Sequence, residues 1–177
     1  IDENDSDFIT INKVKDIILD KKVDLILNLH DGYGFYRNKY ENAIFNPNAW
    51  GQATIIDQEK ITGLDKFGNL DEIANQVNDS LNNDNLFKDY HSFGVKNTET
   101  KFKDEQMQLS LTFFAVTHNK PAFAIETSKN STDLTHKVIY QLKSIEEFMN
   151  IMHIKFERKF DINNYDDVQK KISDFGK

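Results

Sequence analysis

The spacing of apolar residues along the chain predicts helices that alternate with strands. Apolar positions that recur every three or four residues favour a helix. Such stretches occur at residues 11–18, 73–81, 107–115 and 138–152. Thr10 is expected to cap the first helix, and Ser131, Thr132 or Asp133 is expected to cap the last one.

Compact apolar runs predict buried strands between these helices. The runs cover residues 23–29, 53–56 and 122–125. His30 follows the first run and Glu126 follows the third. Alternation of helices and strands predicts the α/β class, with a mixed or largely parallel sheet flanked by helices.

His30 and Glu126 are the candidates for chemistry, because ligands of open α/β sheets collect at the carboxyl ends of strands. An imidazole and a carboxylate that share one crevice suit a metal ligand and a general base acting on water. The alternative interpretation is structural, since a histidine at the end of a strand often only satisfies local hydrogen bonds. Spacing alone leaves both interpretations open.

The last part of the chain differs in pattern from the rest. Residues 154–160 alternate between apolar and charged, which is typical of an edge strand. We therefore expect one domain over residues 1–153. Residues 154–177 are expected to be the start of a β-rich accessory module, or an extension that packs on the domain.

Composition excludes several functional classes. The formal net charge of -7 argues against non-specific binding to nucleic acid or to an anionic membrane surface. The absence of cysteine excludes disulfides, thiolate metal sites and a cysteine nucleophile. No apolar run approaches the ~20 residues of a membrane span, and the acidic first ten residues do not resemble a signal peptide. The oligomeric state is not predictable from these features.

Other motifs add little. His91, His118, His136 and His153 have no partner at a metal-ligand spacing, so we interpret them as structural. The sequence contains no G-x-S-x-G elbow, no P-loop and no G-x-G-x-x-G fingerprint. Two glycines and three aromatic residues in 31–37 could line a pocket, as could Trp50, although Trp50 could equally pack beneath a loop.

Several longer strings carry a family resemblance. They are LNLHDGYGFYR at 27–37, NPNAWGQATIIDQ at 46–58, KNTET at 96–100, LTFFAV at 111–116, PAFAIETSKN at 121–130 and YQLKSIEEF at 140–148. In this order, over about residues 20 to 160, the chain resembles the helical-cell-shape D,L-carboxypeptidases. That family is a divergent branch of the carboxypeptidase A-like zinc peptidases.

The resemblance implies a mixed-sheet α/β fold, a zinc cofactor and a periplasmic enzyme that trims murein tripeptide stems to dipeptides. By motif, His30 matches the third zinc ligand and Glu126 matches the glutamate that activates water and protonates the leaving amine. Trp50, Thr112 and Thr127 match positions that face the substrate, with Thr127 acting through its backbone.

The chain also departs from the family pattern. Family members carry a Q-x-x-E or H-x-x-E ligand pair upstream of the histidine, and neither occurs here. The chain is therefore expected to be the C-terminal half of a catalytic domain. By itself, this half is expected to bind zinc weakly and to be inactive. Two other functions stay open, namely an N-acyl amino acid deacylase of the same superfamily and a non-catalytic peptidoglycan-binding module.

Overall fold

A computed structural model describes residues 5–103 and 105–175. The helices are α1 (Ser6–Leu19), α2 (Leu70–Asn83), α3 (Thr100–Lys103), α4 (Leu111–Thr117), α5 (Leu134–Ile151) and α6 (Tyr165–Phe175). The strands are β1 (Ile26–Gly32), β2 (Phe35–Tyr36), β3 (Phe45–Asn46), β4 (Ala53–Ile56), β5 (Gly94–Asn97) and β6 (Ala122–Ser128). Single 3-10 turns lie at Asn85–Phe87, Asp89–His91 and Met107–Leu109. No helix within the described ranges is long and apolar enough to cross a membrane.

The main sheet has the strand order β1-β6-β4-β5 and is mixed. Strands β1 and β6 are parallel, β6 and β4 are antiparallel, and β4 and β5 are parallel. Strands β2 and β3 form a separate pair. This arrangement confirms the predicted α/β fold with a mixed sheet flanked by helices.

The two central strands are largely apolar because both of their faces are covered. All four residues of β4 are buried, as are the first four residues of β6. Helices α2 and α5 pack against each other and against the sheet. Asn78 of α2 accepts a hydrogen bond of 2.8 Å from the Thr54 hydroxyl of β4, which fixes α2 to that face of the sheet.

The predicted bounds of two strands were wrong. Strand β1 was predicted over residues 23–29 but begins at Ile26 and continues to Gly32. Strand β6 continues past Ile125 to Ser128. Strands β1 and β6 pair through backbone hydrogen bonds, which do not depend on the type of side chain. Both strands therefore continue through polar residues. His30 and Glu126 therefore lie inside their strands.

Local hydrogen bonds explain where the helices differ from the predictions. Helix α1 begins at Ser6, capped by Asp5, and the Thr10 hydroxyl instead donates to the Ser6 carbonyl within the helix. The pattern over 107–115 is interrupted at Ser110, whose hydroxyl accepts from the Phe113 amide and caps α4. Asp133, one of the three predicted candidates, caps α5.

The C-terminal segment contains no strand among the described residues, so the predicted edge strand at 154–160 was wrong. The regular element of this segment is α6, which follows residues 154–160 and packs on α5 through a buried cluster of Ile139, Ile162 and Val168. Tyr165 also donates its hydroxyl to the carboxylate of Asp133. Ile162 and Val168 are almost fully buried there, whereas residues 154–159 are exposed. The boundary at 153 and a following β-rich module stay predictions, and residues 1–4 and 176–177 lie outside the described part.

Candidate active site

His30 and Glu126 are cross-strand neighbours in the centre of the candidate site. They are paired in register between β1 and β6, whose backbones run ~4.8 Å apart at such a pair. Because paired residues of adjacent strands point to the same face, both side chains project from one surface of the sheet. His30 is exposed and Glu126 is partly buried. The prediction that the two strands bring these residues together at one edge of the sheet is confirmed, whereas a crevice that they share stays a prediction.

Burial changes the acidity of Glu126. Partial removal from water raises the pKa of Glu126 from 4.5 to about 7, and the negative charge of Asp31 acts in the same direction. The cation of Lys129 opposes both effects. A carboxyl group with a pKa near neutrality can both accept and return a proton, which is the property that a general acid–base catalyst needs.

The residues that follow His30 and Glu126 in sequence lie on the opposite face. Asp31 and Thr127 are paired in register, and the Thr127 hydroxyl donates a hydrogen bond to the Asp31 carboxylate. Lys137 of α5 contacts the other Asp31 oxygen at 2.8 Å. Burial raises the pKa of Asp31, but hydrogen bonds from Lys137 and Thr127 outweigh it, so the pKa is lowered overall. The buried Thr127 side chain is therefore structural, and its predicted role is left to its backbone.

An aromatic wall adjoins Glu126. Trp50 and Tyr36 pack over a small apolar cluster on the sheet. Its members are Ala53, Ile55 and Ala124. Ala53 is paired in register with Glu126, so Trp50 lies on the face of the sheet that carries the carboxylate. Trp50 thus borders the candidate site, and its predicted contact with a substrate stays a prediction.

A cleft of about 510 Å³ opens beside Trp50. Its other lining residues are Gln106, Met107, Leu109 and Ser110. Thr112, which was predicted to face the substrate, is buried directly behind this lining, with its hydroxyl 3.1 Å from the Ser110 hydroxyl. Thr112 therefore contacts one lining residue of the cleft without lining it, and its role in binding stays a prediction.

The loops that hold Trp50 pack backbone against backbone. A Cβ atom on Gly32 would lie 2.5 Å from the Trp50 Cβ atom, and one on Gly51 would lie 2.3 Å from the Gly34 carbonyl oxygen. Only glycine permits approaches this close. The end of β1 and the loop before β4 are therefore in direct contact, which fixes Trp50 relative to the strand that carries His30.

Gln52 is a residue of the site that sequence reasoning missed. Its side chain is buried, and its Nε2 atom donates to the His91 carbonyl at 2.7 Å. Its Oε1 atom accepts from the Ser128 amide at 3.3 Å. The residue thereby joins the Trp50 loop to the end of β6. Both partners are distant in sequence, so no local pattern marked this residue.

Two other histidines have structural contacts. His118 ends α4 and contacts the Phe114 carbonyl through Nδ1 at 2.7 Å. His136 contacts the Asp133 carboxylate at 2.7 Å. These contacts agree with the structural interpretation that the sequence favoured.

The candidate site offers one fitting metal ligand. An exposed imidazole such as that of His30 suits zinc, whose catalytic sites use three protein ligands. Among the residues that the structure describes, no group of three or more histidine, aspartate or glutamate side chains is arranged to hold a metal ion. The described residues alone therefore do not complete a zinc site.

Comparisons with known proteins agree with the geometry. A family model described as the catalytic region of carboxypeptidases controlling helical cell shape matches residues 1–172. The tripeptide-bound cell shape determinant Csd4 from Helicobacter pylori is 38% identical, with a TM-score of 0.90, over 98% of this chain and 41% of that chain. The mDAP-bound form of Csd4, described as a D,L-carboxypeptidase, is 40% identical, with the same TM-score and coverage. A search of curated proteins found no match. The chain thus spans about 41% of the length of these solved structures.

Proposed function

This chain belongs to the family of carboxypeptidases controlling helical cell shape, and from that membership we propose that the whole protein is a zinc-dependent D,L-carboxypeptidase. It trims murein tripeptide stems to dipeptides in the periplasm and so supports helical cell shape. The tripeptide and mDAP bound to Csd4 support the substrate class, because both structures match nearly all of this chain.

The observation that carries the proposal is the register pair of His30 and Glu126. Glu126, with its pKa raised to about 7, takes a proton from the attacking water and later gives it to the leaving amine. Trp50 borders the same face of the sheet and forms one wall of the substrate site. The Thr127 backbone and the segment around Thr112 contribute the remaining contacts of this chain with the peptide.

We include zinc in the proposal because His30 is a suitable ligand beside a suitable base. The other two protein ligands would come from residues beyond those described here. Zinc held at such a site would lower the pKa of a bound water to ~7 and would polarise the scissile carbonyl. The part assigned to this chain is to supply one imidazole and to hold the Glu126 carboxyl in place.

The test uses the full-length protein and two substrates. Incubation with a murein tripeptide is expected to release the terminal diamino acid and leave the dipeptide, as detected by mass spectrometry. Incubation with an N-acyl amino acid is expected to release no carboxylic acid. The reverse result would identify a deacylase, and binding without hydrolysis of either would identify a peptidoglycan-binding module.

A matched variant tests the role of Glu126. Replacement of Glu126 by Gln keeps the size of the side chain and removes its proton-accepting oxygen. The variant is expected to lose at least ~10²-fold in kcat while its zinc content is unchanged, because general acid–base catalysis contributes ~10²–10⁴-fold. Unchanged turnover would remove Glu126 from the mechanism.

A further inference from the structure

Lys96 of β5 lies against the Trp50 loop through several contacts. Its Nζ atom donates to the carbonyl oxygens of Pro47 and Ala49, at 2.9 Å each. The same ammonium lies 4.3 Å from the centroid of the Trp50 ring and 5.3 Å from that of the Tyr36 ring. One cation therefore contacts both aromatic rings of the wall and the backbone of the loop that carries Trp50.

The position of Lys96 in the sheet directs it to the catalytic face. Lys96 is paired in register with Ile55 of β4. Ile55 lies two residues from Ala53, which is the register partner of Glu126. Because residues two apart in a strand share a face, Lys96 projects from the same surface as Glu126. Its long side chain spans the distance between the last strand of the sheet and the loop.

We propose that Lys96 is a positioning residue that fixes the indole of Trp50 for binding of the murein peptide. This proposal rests on the proposed function, because it assumes that Trp50 forms a wall of the substrate site.

The chemistry of the contacts requires a cation with several donors. An ammonium group has three N–H donors, so it can bond to two carbonyls and still lie over an aromatic ring. The two carbonyl bonds restrain residues on the N-terminal side of Trp50, and the ring contact restrains the indole itself. Without the cation, the carbonyls would lose their donors and the ring would lose its electrostatic partner.

Trp50 is the only tryptophan of the 177-residue chain, so its fluorescence reports the position of the ring directly. In Lys96→Met, the side chain keeps a similar length and loses its charge and its donors. We expect a red shift of the emission maximum and about a twofold rise in the acrylamide quenching constant, as exposure of the ring increases. Lys96→Arg, which keeps the charge and the donors, should recover most of the parent spectrum.

The control is Lys101→Met, because Lys101 also contacts an aromatic ring, with its Nζ 5.5 Å from the Phe102 centroid. This lysine is exposed and does not contact Trp50, so its replacement should leave the emission unchanged. If Lys96→Met leaves the quenching of Trp50 unchanged, Lys96 does not position the ring and the proposal is overturned. This measurement does not depend on the enzymatic activity.

Kinetics with the full-length protein complete the test. Lys96→Met is expected to raise KM for the tripeptide roughly tenfold, equivalent to ~1.4 kcal/mol of binding free energy, with little change in kcat. In a Trp50→Ala background, the same replacement should raise KM no further, because the ring on which it acts is absent.

A full additional loss in the Trp50→Ala background would show that Lys96 contacts the substrate directly, which overturns the positioning role. Absence of peptidase activity in the parent protein would refute the proposed function instead. In that case the fluorescence result would still decide whether Lys96 holds Trp50.

Discussion

Asp31 and Lys137 form an ion pair, 2.8 Å between Nζ and carboxylate oxygen, on the face of the sheet opposite to Glu126. Asp31 is adjacent in sequence to His30, and its charge helps to raise the pKa of Glu126. The two faces of the β1–β6 pair are therefore linked electrostatically. A change on the α5 side should be measurable at the candidate base.

Asp31→Asn should lower the pKa of Glu126 below the value of about 7. The replacement removes the negative charge that disfavours ionisation of Glu126, and it leaves the cation of Lys137 without its carboxylate. It should also cost roughly 1 kcal/mol of stability through loss of a charge-assisted hydrogen bond. Titration of the Glu126 carboxyl by carbon NMR measures the first effect, and denaturant unfolding measures the second.

Asp84→Asn is a matched control for that experiment. The Asp84–Lys143 pair also attaches to α5, and its side chains are 36% and 14% exposed, against 37% and 17% for Asp31 and Lys137. Asp84→Asn should reduce the stability to a similar extent as Asp31→Asn and leave the pKa of Glu126 unchanged. Equal shifts of the Glu126 pKa in both variants would contradict the assigned effect of Asp31.

Glu126→Gln should stabilise the chain at alkaline pH. The pKa of Glu126 is raised in the folded state above its ordinary value of 4.5. Protonation of Glu126 therefore favours the folded state, and this contribution to stability is fully present below pH 4.5. This contribution is lost as the pH rises through about 7. At pH 8 the variant should exceed the parent by about 1–2 kcal/mol, a figure reduced to allow for solvent screening. At pH 4 the two should be equally stable.

The measurement is the free energy of unfolding in urea across this pH range, without added metal. Glu147→Gln provides the control, since Glu147 is a glutamate outside the candidate site whose side chain accepts from the Ser80 hydroxyl. A parent protein whose stability follows the same pH profile as Glu126→Gln would show that Glu126 titrates normally.

Gly32→Ala should destabilise the chain and displace Trp50. The added methyl group would lie 2.5–2.6 Å from Trp50 Cβ and carbonyl carbon atoms, so the loop must move. We expect a loss of about 1–3 kcal/mol, as for other overpacked sites, and a change in tryptophan emission. Gly63→Ala is the comparison, because a Cβ atom there meets nothing within 4 Å and only the positive φ of 80° is unfavourable. That variant should lose some stability and keep the parent emission spectrum.

Zinc titration into the 177-residue chain should show no sub-micromolar binding. A catalytic zinc ion needs three protein ligands, and His30 is the one suitable imidazole that we place at the candidate site. Isothermal titration calorimetry of the chain and of His30→Ala tests this expectation. Tight binding that survives His30→Ala would place the metal ligands elsewhere in the chain.

The sequence predicted those elements whose burial is uniform along the chain. The run at 53–56 matched β4 in both bounds, because both faces of that strand are covered and every position is buried. Helix α5 was also predicted correctly, and its cap, Asp133, was one of the three candidates, since a long periodic stripe with a capping residue is a strong local signal.

The sequence could not specify contacts made between distant segments. The ends of β1 and β6 were misplaced because pairing with the partner strand extends each of them through polar residues. Gln52 was missed because its partners, His91 and Ser128, lie 39 and 76 residues away. The alternating pattern at 154–160 was misinterpreted because burial of Ile162 and Val168 on α5 outweighed it. The ends of the apolar runs selected His30 and Glu126, the family resemblance suggested their roles, and the fold showed that they are neighbours.

Helix α6 and the start of α5 are connected through Tyr165, whose hydroxyl binds the carboxylate of Asp133. Asp133 is also the cap of the helix that presents Lys137 to Asp31. Residues 165–175 are therefore part of the folding unit that supports the strands carrying His30 and Glu126, and they cannot be exchanged as an independent module. A protease cut or a fusion junction at residue 153 would expose the apolar surface of α5, whereas a junction placed after residue 175 would leave it covered.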